Sequence, residues 1–145
     1  MTWGHERDKD GHVFPSKVYP YNRMHSPSSN LHSNVEDMAR WMIANLNRGE
    51  LDGKRVLKAA SHDELWKPSV DAGKLGRVGL SWFLSEYKGT QLVTHSGTDD
   101  GFMTCVVLVP AKKVGVVVLI NCDEAPLNRV LVTALDVAAG WEEEK

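Results

Sequence analysis

Two apolar segments in the C-terminal half dominate the hydrophobic pattern of the chain. Residues 102–109 and 114–120 are apolar at nearly every position, which is typical of strands in a sheet that is covered on both faces. The four residues from Pro110 to Lys113 indicate a turn between them. Alternating polar and apolar residues within 80–86 and 91–96 predict an earlier strand pair. The pattern therefore predicts an antiparallel meander of about four strands within residues 79–121.

Helical periodicity flanks this meander on both sides. Ser33-Asn-Val-Glu36 is a capping box that predicts a helix with Ser33 as its N-cap, and apolar residues then recur every three or four positions as far as Leu46. A second capping box, Ser61-His-Asp-Glu64, predicts a short helix. A third helix is predicted within residues 124–140, where apolar residues again recur at helical spacing.

The order of these elements predicts the fold class. Residues 1–32 show little periodicity and are expected to be irregular, residues 33–67 carry two helices, and the strands and the last helix follow. Helices that flank an antiparallel sheet make an α+β fold. The sequence of 145 residues shows no internal repeat, so residues 1–145 are interpreted as a single domain.

Composition and charge exclude several classes of function. The net charge is −2 and the lysines and arginines are dispersed, so a nucleic-acid-binding surface is not expected. The longest apolar run, residues 114–120, is too short to span a membrane, and the polar N-terminal residues do not resemble a signal peptide. The compartment therefore stays undecided. Cys105 is expected to lie opposite residue 118, too far from Cys122 for a disulfide.

The candidate chemistry lies where one predicted strand ends. His95, Ser96 and Gly97 follow an apolar strand and precede an acidic turn, in a place where packing alone does not require polar groups. A glycine lets backbone N–H groups approach a ligand closely. The alternative is structural: His95 would bond a loop carbonyl, and residues 98–101 would be only a turn. No histidine pair has metal-binding spacing, so neither a metal nor another cofactor is expected.

Three segments together resemble a known family. They are Leu31-His-Ser-Asn-Val-Glu-Asp-Met-Ala-Arg-Trp-Met-Ile-Ala-Asn-Leu46, the strand ending in His95-Ser-Gly97, and the valine-rich strand ending at Asn121. They resemble the serine β-lactamase family, and more narrowly its class C branch, which includes D-alanyl-D-alanine carboxypeptidases and family VIII esterases. The resemblance covers nearly all of the chain but only the C-terminal part of the family's domain. It implies a partial β-lactamase/transpeptidase-like fold.

The resemblance also implies roles for four residues. His95-Ser96-Gly97 corresponds to the family's third motif, which is usually Lys-Thr-Gly. His95 would then take part in catalysis by setting the protonation of neighbouring groups. Ser96 would bond a substrate carboxylate or carbonyl, and Gly97 would let the substrate lie along the strand edge. The N–H of Thr98 would be one of the two oxyanion-hole donors.

The family's other two motifs are not found in credible form. Ser85-Glu-Tyr-Lys88 matches the nucleophile motif Ser-x-x-Lys formally, but it falls at a strand end, where the two side chains do not share a helical face. Ser28-Ser-Asn30 matches the second motif, Ser-x-Asn, formally. By the family register it precedes the first helix, so Ser29 and Asn30 are interpreted as residues of the pocket rim.

Two hypotheses of function follow. The first is the C-terminal portion of a β-lactamase-related serine hydrolase, inactive alone, which would act on β-lactams, D-Ala peptides or esters only with the missing N-terminal part. The second is a non-enzymatic module that binds a partner, or itself, through an exposed strand edge. Because missing strands would leave a sheet edge and apolar surface exposed, a homo-oligomer is expected.

Overall fold

A computed structural model describes residues 2–19, 23–29 and 31–141, the side chain of His25 excepted. Ten strands and three α-helices follow one another along these residues. In chain order they are β1 (His5–Arg7), β2 (Val13–Pro15), α1 (Val35–Leu46), β3 (Glu50–Leu51), β4 (Lys54–Arg55), α2 (Ala59–Leu65), β5 (Val70–Asp71), β6 (Arg77–Val78), β7 (Phe83–Tyr87), β8 (Thr90–Asp99), β9 (Phe102–Val109), β10 (Val114–Ile120) and α3 (Leu127–Ala139).

One six-stranded sheet organises the fold, in the order β10-β9-β8-β7-β6-β5. Its neighbouring strands are antiparallel, which confirms the α+β class. The predicted bounds of β9 and β10 are confirmed, since a strand that is apolar on both faces gives an unambiguous signal. The predicted four strands become six because β5 and β6, of two residues each, are too short to show a period.

Two hydrophobic clusters cover the two faces of this sheet. Side chains alternate between the faces of a strand, so neighbouring residues of β9 belong to different clusters. The cluster under α1 contains Met42, Leu46, Trp82, Leu84, Val93, Val106 and Leu108. The cluster under α3 contains Leu92, Cys105, Val107, Val109, Leu127, Leu131 and Leu135.

The helix starts differ from the predicted ones. Asn34, not Ser33, is the N-cap of α1, and its Oδ1 accepts hydrogen bonds from the backbone N–H groups of Glu36 and Asp37, each at 2.9 Å. The side-chain amide of Asn34 also donates to the Asp37 carboxylate at 2.8 Å, so the helix is capped one residue later than predicted. In α2 the predicted cap Ser61 lies inside the helix, which starts after Lys58 without a side-chain cap.

The N-terminal segment is more regular than its sequence suggests. β1 and β2 form an antiparallel hairpin, with Glu6 opposite Phe14, where irregular structure was expected. The buried Ser16 fastens this hairpin, because its hydroxyl donates to Glu6 Oε1 at 2.6 Å and its carbonyl accepts from the Trp3 indole at 2.7 Å. The two strands have only three residues each, too short for a hydrophobic period to reveal them in the sequence.

The cysteines lie as predicted. Cys105 is opposite Val118 in the β9–β10 pair, and both Cys105 and Cys122 are free thiols. Burial raises the pKa of the Cys105 thiol, so it is held in its neutral form and packs as a small apolar side chain. Among the described residues, none of the helices is long and apolar enough to cross a membrane.

His62 on α2 is a buried titratable group that packs against Trp66. Its side chain is 2% exposed, its ring contacts Trp66 edge-on at 4.5 Å, and its Nε2 atom has no hydrogen-bond partner among the described residues. Burial lowers the pKa of His62 from 6.5. The carboxylate of Asp63 opposes this shift, and the guanidinium of Arg48 adds to it. The imidazole is therefore neutral in the folded protein.

We predict that this histidine makes the fold less stable in mild acid. As pH falls below about 6.5, the unfolded chain binds a proton at residue 62 that the folded chain does not bind, so the free energy of unfolding falls by up to about 1.4 kcal/mol per pH unit. The loss ends below the lowered folded-state pKa. Urea denaturation between about pH 5 and pH 7.5 measures it, because that interval spans the reference histidine pKa.

The His62→Phe variant is expected to lack this component of the pH dependence, since phenylalanine fills the site without titrating. Identical slopes in the parent chain and His62→Phe would contradict the prediction.

Candidate functional site

Residues 95–99 of β8, which we call the site edge, have a strand on one side only. β8 pairs with β9 from Val93 to Asp99, but its pairing with β7 ends at Thr94, opposite Phe83. Among the described residues, the backbone on the β7 side of the site edge therefore lacks a neighbouring strand. A free edge of this kind presents N–H and C=O groups to whatever lies beside it.

The predicted motif occupies this edge. His95, Ser96, Gly97 and Thr98 are all exposed, although the first half of β8 is buried at Leu92 and Val93. The structure thus brings the four predicted residues together along one accessible stretch of backbone. The imidazole of His95 lies against the ring of Phe83, with 6.0 Å between ring centroids and 42° between planes.

Gly97 is not required by the packing of this chain. A Cβ added at this position would meet only the Thr104 Oγ1 atom, at an ordinary contact distance of 3.4 Å. Its backbone has no positive φ angle that would call for glycine. Where neither packing nor backbone conformation demands glycine, close approach by a ligand or another segment is the remaining physical reason for it.

The end of the site edge is held by the N-terminal segment, through contacts that the sequence did not predict. The Nδ1 atom of His5 lies 3.1 Å from the carbonyl oxygen of Asn121, and the side-chain amide of Asn121 donates to the Trp3 carbonyl at 3.0 Å. The His5 carbonyl accepts from the Asp123 N–H. We call this set of contacts, together with Gly4, the N-terminal latch.

The N-terminal latch contacts Gly101, in the turn between β8 and β9, through Asp123 and through Gly4. Both carboxylate oxygens of Asp123 lie 3.0 Å from the Gly101 nitrogen and accept its N–H. Gly101 has a φ of +74°, and its missing Cβ leaves room for Gly4, whose Cα would lie only 2.7 Å from such an atom. The only sequence signal for this arrangement is a polar Asn121 at the end of an apolar strand.

A shallow acidic cleft lies beside Thr98. Its volume is about 520 Å³, and it is lined by Thr98, Asp99, Asp100, Met103, Asp123 and Glu124. Among the described residues, the lining contains four carboxylates and no basic residue. A concentration of one sign of charge attracts the opposite sign, so this side of the site edge favours a cationic group over an anionic one.

The other serine motifs do not join the site edge. Ser85 lies within β7 and Lys88 in the following turn, where the Lys88 ammonium donates to the Asp136 carboxylate at 3.1 Å and to the Trp141 carbonyl. That lysine is therefore not placed to accept a proton from Ser85. Ser29 is exposed in a turn, with its hydroxyl 3.4 Å from that of Ser28. Asn30 lies outside the described residues.

One group of possible metal ligands was missed by the search for paired histidines. Asp8, Asp10 and His12 lie in the β1–β2 turn with ligand atoms within 4.8 Å of one another. Asp8 already accepts hydrogen bonds from the backbone of Asp10 and His12, and the latter bond lowers the pKa of its carboxyl. These hydrogen bonds belong to the turn, and they explain why Asp8, Asp10 and His12 lie close together.

Comparison with known proteins identifies the family. The family model described as Beta-lactamase matches residues 1–139. The chain belongs to the beta-lactamase family. Two solved structures of similar fold are the octameric penicillin-binding protein homologue from Pyrococcus abyssi, with a TM-score of 0.77 at 22% identity, and the penicillin binding protein from Bacillus halodurans, with a TM-score of 0.64 at 18% identity. They align with 95% and 92% of this chain, and with 30% and 40% of their own lengths.

Curated relatives of this beta-lactamase-family chain include a hydrolase. The chain is 32% identical over 95 residues to the unguisins hydrolase ungD' of Aspergillus campestris, and 30% identical over 103 residues to Protein flp of Staphylococcus aureus. These matches cover 61% and 71% of the chain but only 17% and 20% of the relatives. The chain thus spans about a fifth of the length of the curated relatives it matches.

Proposed function

We propose that the site edge is the substrate-binding wall of a β-lactamase-related serine hydrolase. The observation that carries this proposal is the coincidence of the family's third motif with the stretch of β8 that, among the described residues, has a strand on its β9 side and none on its β7 side. His95-Ser96-Gly97 stands where the sheet offers free backbone, one residue before the proposed oxyanion donor, the N–H of Thr98. Substrate would add to this edge as an extended segment.

Each residue of the site edge has a separate proposed role in binding substrate. Ser96 donates to a substrate carboxylate or carbonyl, and His95 orients and shares protons with polar groups that face it. Gly97 leaves room for the substrate backbone, in keeping with the absence of any packing reason for glycine there. The acidic cleft beyond Thr98 favours substrates that carry a cationic group near the bond to be broken.

We further propose that these 145 residues do not catalyse hydrolysis by themselves. An acyl-enzyme mechanism needs an activated serine, and the one formal Ser-x-x-Lys match is held apart by the Lys88–Asp136 ion pair. An oxyanion donor without a nucleophile has no intermediate to stabilise. The nucleophile and the acid–base group would come from a polypeptide segment that corresponds to the remaining length of the relatives.

We predict weak but local binding of a short ligand. In a titration of the ¹⁵N-labelled chain with D-alanyl-D-alanine, which carries both a carboxylate and an ammonium group, the amide signals of residues 95–98 should shift most. Gly97→Ala should weaken binding about tenfold, because its methyl group occupies the path of the ligand backbone. Its free energy of unfolding should stay within about 0.5 kcal/mol of the parent value, since the Cβ has room.

Gly89→Ala is the matched control, because it adds a methyl group beside the other end of β8, in open space. Its affinity for the peptide should equal that of the parent chain. Signal shifts that map away from the site edge, or equal losses of affinity in the two variants, would contradict the proposal that the site edge binds substrate. Nitrocefin hydrolysis that is lost in the His95→Ala variant would contradict the proposed inactivity of the chain. It would leave standing the proposal that the site edge binds substrate.

A further inference from the structure

Asp123 holds the turn that follows the proposed oxyanion donor. Thr98 belongs to the second-last residue pair between β8 and β9, and only Asp100 and Gly101 join the two strands beyond the last pair. Gly101 is buried, and both carboxylate oxygens of Asp123 accept its N–H at 3.0 Å. A buried N–H is costly to leave without a partner, so the conformation of this turn depends on the Asp123 side chain.

A change in the turn reaches Thr98 over a short distance. Without its acceptor, the Gly101 N–H would have to turn toward water, and the backbone of the turn would move with it. The geometry of a two-residue turn sets the register and twist of the strands that it joins. A single residue pair, Asp99 with Phe102, lies between the turn and Thr98. The direction of the Thr98 N–H is therefore tied to the conformation of Gly101.

The N-terminal latch fixes Asp123 in turn. The backbone N–H of Asp123 donates to the His5 carbonyl at 2.9 Å. Two residues earlier, the side-chain amide of Asn121 donates to the Trp3 carbonyl at 3.0 Å. Asp123 also lines the acidic cleft beside Thr98, so its carboxylate lies close to the site edge. Backbone and side chain of this residue are thus both engaged, which keeps the carboxylate oxygens in a defined position.

We propose that Asp123 is a positioning residue for the Thr98 N–H and acts on it through the Gly101 N–H. This inference rests on the proposed function, in which the Thr98 N–H is an oxyanion donor. Such a donor is effective only when it is already aimed at the place where charge develops, and a displacement of about 1 Å removes much of its effect. Asp123 acts through the position of its acceptor oxygens and does not touch the substrate.

Three substitutions of Asp123 separate the position of its oxygens from its charge. Asp123→Asn keeps one acceptor oxygen in place and removes the charge, Asp123→Glu keeps the charge and moves it by one methylene group, and Asp123→Ala removes both. The dissociation constant for D-alanyl-D-alanine, from the ¹⁵N titration, should stay within about twofold for Asp123→Asn. It should rise about fivefold for Asp123→Glu and about tenfold for Asp123→Ala.

Glu124→Gln is the matched control for charge. Glu124 lines the same cleft and is exposed, and its substitution removes one negative charge without touching the Gly101 N–H. Its effect on the dissociation constant should equal that of Asp123→Asn. The urea midpoint of each variant separates a loss of folding from a loss of positioning, because a purely structural residue would lower the midpoint and leave the affinity of the folded chain unchanged.

The free chain provides a second measurement that needs no ligand. The ¹⁵N order parameter of the Thr98 amide should be about 0.85 in the parent chain and in Asp123→Asn, and should fall toward about 0.6 in Asp123→Glu and Asp123→Ala. Gly89, in the turn at the other end of β8, is the internal reference, and its order parameter should be the same in all four chains.

Each outcome decides the proposal. Weaker binding by Asp123→Asn than by Asp123→Glu would show that the carboxylate acts through its charge, and would overturn it. A Thr98 amide as rigid in the Glu and Ala variants as in the parent chain would overturn it as well. The comparison of Asn with Glu remains decisive if Asp123→Ala does not fold. If the parent chain does not bind the peptide at residues 95–98, the proposed function fails, and the Thr98 order parameter alone decides whether Asp123 positions that amide.

Discussion

Leu108→Ala is expected to lower the free energy of unfolding by about 3–5 kcal/mol, a large part of the stability of a domain of this size. Leu108 is fully buried at the centre of the sheet, in the cluster that also contains Met42 and Val93. Its neighbour across the β9–β10 pair is Gly115, which has no side chain to move into the space. We therefore expect the cavity to close only in part, and urea denaturation should show a lower midpoint at an unchanged slope.

Leu119→Ala gives the comparison. It removes the same atoms from a leucine in the adjacent strand β10 that is 37% exposed, so we expect a loss of about 1 kcal/mol. Equal losses at the two positions would show that the sheet centre is not packed as described.

Gly101→Ala is expected to destabilise the chain by about 3 kcal/mol and to release the N-terminal hairpin from the sheet. Two costs add at this residue. Its φ of +74° is unfavourable for any residue with a side chain, and the new Cβ would lie 2.7 Å from Gly4 Cα and 2.9 Å from the His5 nitrogen. Because backbone atoms cannot rotate away, the latch should open, which faster exchange of the Asp123 amide hydrogen, the donor to the His5 carbonyl, would report.

The control separates these two costs. Gly89 has a similar φ of +71°, but no atom lies within 4 Å of an added Cβ. Gly89→Ala therefore carries the conformational cost alone, about 1 kcal/mol. If both variants lost the same free energy, the contact between Gly4 and Gly101 would contribute nothing to stability.

The parts of the fold that the sequence predicted are those that local patterns determine. Strands β9 and β10 are apolar on both faces, so their bounds and the pairing of Cys105 with residue 118 could be derived before the structure. The cap of α1 was misplaced because Ser33 and Asn34 are both good N-caps, and only the bonds to Glu36 and Asp37 decide between them.

For the candidate site, the sequence revealed the motif but not the strand pairing and the contacts around it. His95-Ser96-Gly97 could be recognised through its resemblance to a family, yet nothing local indicates that pairing with β7 ends at Thr94. The bonds among His5, Asn121 and Asp123 depend on contacts between distant parts of the chain, which neither periodicity nor turn chemistry encodes. The hairpin β1–β2 was missed for a different reason, since its two strands have only three residues each and are too short to show a period.

The N-terminal latch has a consequence for the order of folding. His5 and Asn121 are 116 positions apart, so their contact closes a loop that contains most of the chain. Closing such a loop is entropically costly until the local strand pairs of the sheet exist to hold Asn121 in place. The hairpins of β7 to β10 therefore assemble first and the first strand docks last. The turn between β8 and β9, beside the candidate site, is therefore expected to take its final conformation only after the N-terminal segment has docked against it.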